Sequence, residues 1–339
     1  MAKFMMTHRT LPFLLLFLPL LFLGCSSATN SSSSESDDSS SLRIVATTGM
    51  LGDVAREVFP EGIQITTLMR PGVDPHTYVP TREDTLALTE AQVILYNGLH
   101  LEGRMGDILE RMEAGRKVYR ASDYVQADLI LSTGAENSGD RVEDPHLWTD
   151  VALWAGMVEK LSTQWASDFP ESAEVIRENS REYVARLRAL HGWGLERFET
   201  IPQTQRILVT AHDAFGYFGR AYGLEVHGVQ GISTESEAGL SDLNALVDLI
   251  VERRIPSIFV ESSVSPKNIQ ALREGATARG HEVVLGGEMY SDAMGAEGTY
   301  EGTYLGMMDH NLTLVVRSLG GDAPVDGFQG LLGKDTIQK

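Results

Sequence analysis

The sequence predicts an α/β fold of two lobes, each a mostly parallel sheet flanked by helices, joined by one long helix and separated by a cleft. Three observations predict it. Between residues 42 and 122, short runs rich in β-branched residues alternate with helix-like stretches, and such alternation gives a parallel sheet covered on both faces. The same alternation begins again at residue 206. Between the two halves, residues 170–202 carry helix formers with no internal proline. One larger sheet covered by that helix is the other arrangement the pattern permits.

Residues 1–24 stand apart from the fold. Lys3 and Arg9 precede an apolar run from Leu11 to Leu23, too short to span a bilayer and shaped like the core of a signal peptide. Cys25 follows directly, and as the only cysteine it excludes an intramolecular disulfide. LFLGC, residues 21–25, resembles a bacterial lipoprotein cleavage site, with Phe22 where leucine is usual. That resemblance implies a lipidated Cys25 and a membrane anchor that does not span the bilayer. The rest of segment 25–41, SSATNSSSSESDDSSS, has almost nothing apolar to bury and is expected to be a disordered, Ser-rich tether.

Strands are expected at 42–48, 63–69, 93–99 and 117–122, with helices near 50–58, 81–91 and 102–113. Thr81, three residues before Asp84, marks a helix start. A helix at 151–168 completes an N-terminal lobe of residues 42–169. In the linking helix, 170–202, Ile176, Tyr183, Leu187 and Leu190 recur on one buried stripe, while Gly192 and Gly194 weaken the last third. The C-terminal lobe, 203–320, has strands at 206–212, 224–230, 257–263 and 282–287. Its helices fit 213–222, 241–254, 265–279 and 301–319. Ser265 before Pro266 reads as a capping hydroxyl followed by proline in the first helical position. Residues 321–339 form a C-terminal tail.

Composition narrows the function. Hydrophobic residues at 42% and charged residues at 22% are ordinary for a globular protein. A net charge of −19 without any basic stretch argues against nucleic acid as a partner. An acidic surface suits a cationic ligand, and equally suits simple solubility. GLLGK, 330–334, is not a P-loop, because Phe328 occupies the first glycine position and Asp335 replaces Ser/Thr.

The tripeptide Asp-Pro-His occurs twice, in GVDPHTY (72–78) and VEDPHLW (142–148). Proline stiffens each turn, so a histidine after it loses little freedom on binding a metal. Asp74 and Asp144 are placed to steady the adjoining backbone as side-chain acceptors. Ligands of α/β sheets gather where strands end at their C-termini. His76 follows the strand 63–69, His146 precedes the helix 151–168, His212 closes the strand RILVTAH, and Asp292 follows the strand EVVLGG. Three imidazoles and a carboxylate form a donor set for a borderline divalent cation, with zinc first. Taken alone, a loop histidine is more often a surface residue.

Seven segments carry a further resemblance: VATTGMLGDVA (45–55), LMRPGVDPHTY (68–78), ILYNGLHLE (94–102), DPHLWTDVALW (144–154), LVTAHDAFGYFGRAYGLEVHGVQGISTESEAG (208–239), IFVESSVSPKNIQALR (258–273) and SDAMGAEGTYEGTYLGMMDHN (291–311). In this order they closely resemble the TroA-like, or cluster A-I, metal-binding receptors of bacterial ABC importers, from about Leu42 to about Leu319. The resemblance implies two α/β lobes bridged by one long helix with Zn²⁺ or Mn²⁺ in the cleft. Matched position by position, it implies His76, His146, His212 and Asp292 as metal ligands. It further implies a monomeric extracytoplasmic lipoprotein, in the periplasm or on the cell surface, that delivers metal to a membrane permease driven by a separate ATPase. Longer zinc-specific members carry a His-rich acidic loop, whereas residues 131–144 here contain no histidine.

His212 at the third ligand position favours zinc; family members with glutamate there tend toward manganese or iron. Manganese, or mixed zinc and manganese, is the alternative. Glu261, ending SIFVESS, is expected to face the cleft and support a ligand from behind. His100 is expected to be hydrogen-bonded within the fold, His191 to lie on the exposed face of the long helix, and His227, His281 and His310 to be structural or exposed. Glu235 and Glu237 read as solvated charges or as permease contacts. Two other classes compete. A zinc hydrolase would use three histidines and a water, but H-E-x-x-H is absent and the fourth donor is protein, so no catalytic activity is expected. A surface adhesin has no sequence feature of its own to support it.

Overall fold

The first lobe is built on β1 (Arg43–Ala46), α1 (Gly49–Val58), β2 (Gln64–Thr67), α2 (Arg82–Glu90), β3 (Val93–Tyr96), α3 (Gly106–Met112) and β4 (Lys117–Arg120). The structure, a computed structural model, describes residues 42–112, 116–133 and 142–333. The expected signal peptide, Cys25, the tether and the last six residues of the tail lie outside these. The four strands form one parallel sheet in the order β2–β1–β3–β4. Central β3, with the sequence VILY, is buried throughout, as a strand covered on both faces must be. Edge strand β2 alternates exposed and half-buried residues. Thr81 starts α2 as its spacing predicts: Asp84 N donates to Thr81 Oγ1 at 3.2 Å, and Thr81 N donates to Asp84 Oδ2 at 2.6 Å.

A short antiparallel pair, β5 (Ser132–Thr133) and β6 (Val142–Glu143), leads into the second Asp-Pro-His turn. Next comes α4 (Val151–Asp168), whose first amides at Ala152 and Leu153 donate to Asp150. The long helix is α5 (Ala173–Phe198), 26 residues and about 39 Å long. Ile176, Tyr183, Leu187 and Leu190 are all fully buried.

The second lobe contains β7 (Ile207–His212), α6 (Gly216–Tyr222), β8 (Glu225–Gln230), α7 (Leu240–Glu252), β9 (Ser257–Glu261), α8 (Lys267–Ala278), β10 (Val284–Met289) and α9 (Tyr304–Ser318). Its strands form two parallel pairs, β7 with β8 and β9 with β10, with β7 packed beside β9. At the end of β7 the His212 N–H goes to the Glu261 side chain.

Three local expectations are corrected. Pro266, rather than Ser265, stands at the cap of α8, and no side chain caps that end. Gly194 is not a weak point: a Cβ there would lie 3.0 Å from Tyr222 and 3.2 Å from Leu312, so the glycine lets α6 and α9 approach α5 closely. His191 is half-buried, with Nδ1 3.3 Å from the Tyr222 hydroxyl, rather than exposed.

The main core runs continuously through α1, α4, α5, α6 and α9, so residues of both lobes share it with the long helix. Asp53 on α1 is a polar tie within it. Tyr183 Oη of α5 donates to Asp53 Oδ2 at 2.9 Å, and Tyr304 N of α9 donates to the same oxygen at 3.2 Å. Burial, helped by the charge of Glu57, pushes the Asp53 carboxyl up to about 6 despite these two donors.

Candidate metal centre

The two Asp-Pro-His turns meet. His76 Nε2 lies 3.3 Å from His146 Nε2. The ligand atoms of His76, His146, His212 and Asp292 all lie within 4.8 Å of one another, and all four residues are buried. The expected ligand set is thus brought together by turns that end different elements.

The first turn leaves β2, swings through Arg70, Pro71 and Gly72, and presents His76. Gly72 has φ +76, a left-handed conformation that glycine adopts without strain. Asp74 Oδ1 then accepts the His76 N–H at 2.9 Å. The second turn repeats the device, with His146 N donating to Asp144 Oδ1 at 3.0 Å. Here the same oxygen also lies 2.7 Å from His146 Nδ1, so Nδ1 donates and Nε2 keeps its lone pair toward the centre. The aromatic residue that follows each turn has a separate task. Tyr78 donates to Asp84 Oδ2 at 2.6 Å, pinning the first turn to α2. Trp148 packs edge-on against His146, and its Nε1 donates to the Ser291 carbonyl at 2.7 Å. Ser291 precedes Asp292, so this bond fixes one ligand loop against another.

His212 and Glu261 end two neighbouring strands, β7 and β9. Glu261 Oε2 lies 2.5 Å from His212 Nδ1, and its Oε1 accepts the His212 N–H at 2.9 Å. The carboxylate therefore fixes both the ring tautomer and the backbone of the histidine. Asp292 faces two imidazoles: Oδ1 is 3.5 Å from His146 Nε2, and Oδ2 is 3.2 Å from His212 Nε2.

Buried polar atoms are normally paired. Here His212 Nε2 and Asp292 Oδ1 are buried without a hydrogen-bond partner. Both belong to the cluster, and a cation is the group that satisfies several inward-facing acceptors at once. The spacing fits. Metal–nitrogen bonds of about 2.0–2.1 Å imply tetrahedral ligand–ligand edges of about 3.3 Å. The nearest pairs here lie at 3.2, 3.3 and 3.5 Å. A cavity of 580 Å³ between α1, β2 and residues 293–303 is lined by none of the four.

The electrostatics divide the histidines. Burial lowers His76 to about 4, against the pull of Asp292. Burial also opposes charge on His212, but the Glu261 and Asp292 carboxylates outweigh it and raise its pKa well above 6.5. Burial opposes ionisation of Asp292, yet the His212, His146 and His76 imidazoles hold its carboxyl far below the usual range.

The remaining histidines stay outside. His100 is exposed and sits at φ +62 in a tight turn, where its carbonyl accepts from Gly103 N at 3.2 Å. His227 pairs with Glu225 at 2.8 Å, while His281 and His310 bond the carbonyls of Ile255 and Glu288 at 2.8 and 2.9 Å. Sequence reasoning missed Trp148 as a tie between ligand loops. Its position directly after the second turn was the available signal.

A family model described as zinc-uptake complex component A, periplasmic (ZnuA), matches residues 44–318. The manganese-binding lipoprotein MntA of Bacillus subtilis is 42% identical over 278 residues, covering 82% of this chain and 90% of that protein. The zinc-binding protein TroA of Treponema pallidum is 41% identical over 276 residues, covering 81% and 88%. The solved structure of the periplasmic zinc-binding protein TroA of Treponema pallidum superposes with a TM-score of 0.78 at 40% identity, covering 82% of this chain and 99% of that one. Its two lobes, its ordered sheets and the extent of these matches make the chain a member of the ZnuA family of metal-binding, substrate-binding proteins of ABC importers.

Proposed function

We propose that this chain captures Zn²⁺ between its lobes, with His76, His146, His212 and Asp292 as ligands, and delivers it to a membrane permease driven by a separate ATPase. The observation that carries the proposal is the buried four-residue cluster with two unpartnered acceptors facing inward. Three imidazoles and one carboxylate hold zinc more tightly than manganese by the general affinity order. His212 at the third position supports the same choice. Manganese is the second reading, favoured by the 42% identical relative named for manganese; the 41% identical relative is named for zinc. Asp292 can offer one oxygen or two, which would let the site enlarge its coordination for manganese.

The chain acts as a receptor rather than an enzyme in this proposal, because four protein donors leave no coordination position for an activated water. The lobe boundaries at residues 169, 202 and 320 and the lipid anchor at Cys25 belong to the same proposal. Relatives named as lipoproteins support the anchor, and no helix among the described residues is long and apolar enough to cross a membrane. With the lobes sharing a core along α5, release proceeds by rearrangement of the ligand turns.

The test is titration of metal-stripped mature protein with Zn²⁺ and with Mn²⁺ against a competing chelator. One-to-one binding with zinc the tighter ion is expected. Tighter manganese would make this a manganese receptor, and binding of neither would remove the metal reading.

A further inference from the structure

The two Asp-Pro-His turns use their aspartates differently. Asp144 turns one oxygen to both the backbone and the ring of its own histidine. Asp74 holds the His76 backbone with Oδ1 and leaves Oδ2 for two hydroxyls. Thr77 donates to Oδ2 at 3.0 Å from the same turn. Thr234 donates to Oδ2 at 2.6 Å from the other lobe. Thr234 lies in the loop between β8 and α7, which is closed on itself by Gln230 Nε2 donating to the Ser236 carbonyl at 3.1 Å. A second approach lies alongside, where a Cβ on Gly72 would sit 3.7 Å from the Ser262 carbonyl oxygen. Next to the bond is a 250 Å³ cavity lined by Asp74, Thr234, Glu237, Ser263 and Lys267. Ser263 Oγ in turn lies 3.5 Å from Asp292 Oδ2. The Thr234–Asp74 contact therefore ties the β8–α7 loop to the turn that carries His76, beside a cavity whose Ser263 also reaches Asp292.

We propose that the Thr234–Asp74 hydrogen bond is a cross-lobe latch that positions the His76 turn and sets how fast bound metal leaves. The latch rests on the metal reading of the four-residue cluster. A hydroxyl donating to a carboxylate is stronger than a neutral hydrogen bond. Its loss leaves the Asp74–Thr77 and Asp74–His76 bonds in place, so the turn keeps its shape but loses its side-chain hydrogen bond to the opposite lobe. Thr234 is a positioning residue, and it touches no ligand atom of the cluster.

The experiment loads the full mature protein, Thr234→Val and Thr234→Ser with Zn²⁺ and follows release into excess chelator by stopped flow. Association rates and metal-free melting temperatures are recorded alongside. Valine keeps the shape and removes the donor; serine keeps the donor. The valine variant is expected to release zinc about tenfold faster, equivalent to about 1.4 kcal/mol. Its association rate and metal-free melting should be unchanged, and serine should restore slow release. Unchanged release in the valine variant would overturn the latch while leaving the metal site standing. Equal acceleration in both variants would overturn it too, since that would be a packing effect of the loop. Failure of the parent protein to bind zinc would overturn the metal reading and the latch with it.

Discussion

Replacing Glu261 with glutamine separates orientation from charge at the proposed ligand His212. The native carboxylate accepts from two donors of one residue, the backbone N–H at 2.9 Å and Nδ1 at 2.5 Å. An amide of the same shape has only one oxygen, so one of those buried donors must face an NH₂ group. Groups that orient metal-ligating histidines in this way typically contribute 10–100-fold in metal affinity, or roughly 1.4–2.8 kcal/mol. A second effect opposes the first. Burial opposes charge on His212, but Glu261 helps raise its pKa, so protons compete more strongly with metal at this nitrogen in the native protein than they would without the carboxylate. The variant is relieved of part of that competition. The affinity loss is therefore expected to be larger at alkaline pH, where proton competition is weaker, and to narrow as pH falls. Calorimetric zinc titrations in buffers of different ionisation enthalpy read both quantities. Glu261→Gln should bind more weakly at pH 8.5 and release fewer protons at pH 7. Affinity within twofold of the parent, with unchanged proton release, would refute the assigned role of Glu261.

Three further outcomes follow from the same geometry. Zinc affinity should begin to fall with acidification above pH 6.5, led by His212, because His76 stays neutral until about pH 4; competition titrations from pH 8 to 5 check this. Trp148→Phe leaves the buried Ser291 carbonyl without its donor and should cost about 1–3 kcal/mol of stability, read by denaturant unfolding of the metal-free protein. Asp53→Asn should stabilise the fold at pH 7.5. Burial raises this carboxyl from 3.8 to about 6, so its contribution is favourable below pH 3.8 and is lost as pH rises through 6, a swing of roughly 3 kcal/mol that the amide removes. Melting curves at pH 5 and 7.5 test that sign.

Much of this was legible in the sequence because the code there is local. Strand–helix alternation, the Thr81 capping box and the buried stripe of α5 all depend on neighbours within a few positions. The four candidate ligand positions were reached through the repeated turn and through resemblance, and they lie in one buried cluster. The supporting network was less legible. Glu261 was visible only as a strand end, because its worth depends on β9 lying beside β7. Trp148 reaches Ser291, and Thr234 reaches Asp74, across 143 and 160 positions, where only the packed fold supplies the neighbour. Gly194 was misread for the same reason: helix propensity penalises it, while Tyr222 and Leu312 fill the space its missing side chain leaves.

The central claim is that these four side chains hold the metal, and X-ray absorption at the zinc edge of the loaded mature protein tests it most directly. The expected spectrum shows three imidazole nitrogens and carboxylate oxygen at about 2.0–2.2 Å, with one imidazole lost in His212→Ala. Fewer than three imidazoles in the parent, or a spectrum unchanged by His212→Ala, would contradict the account.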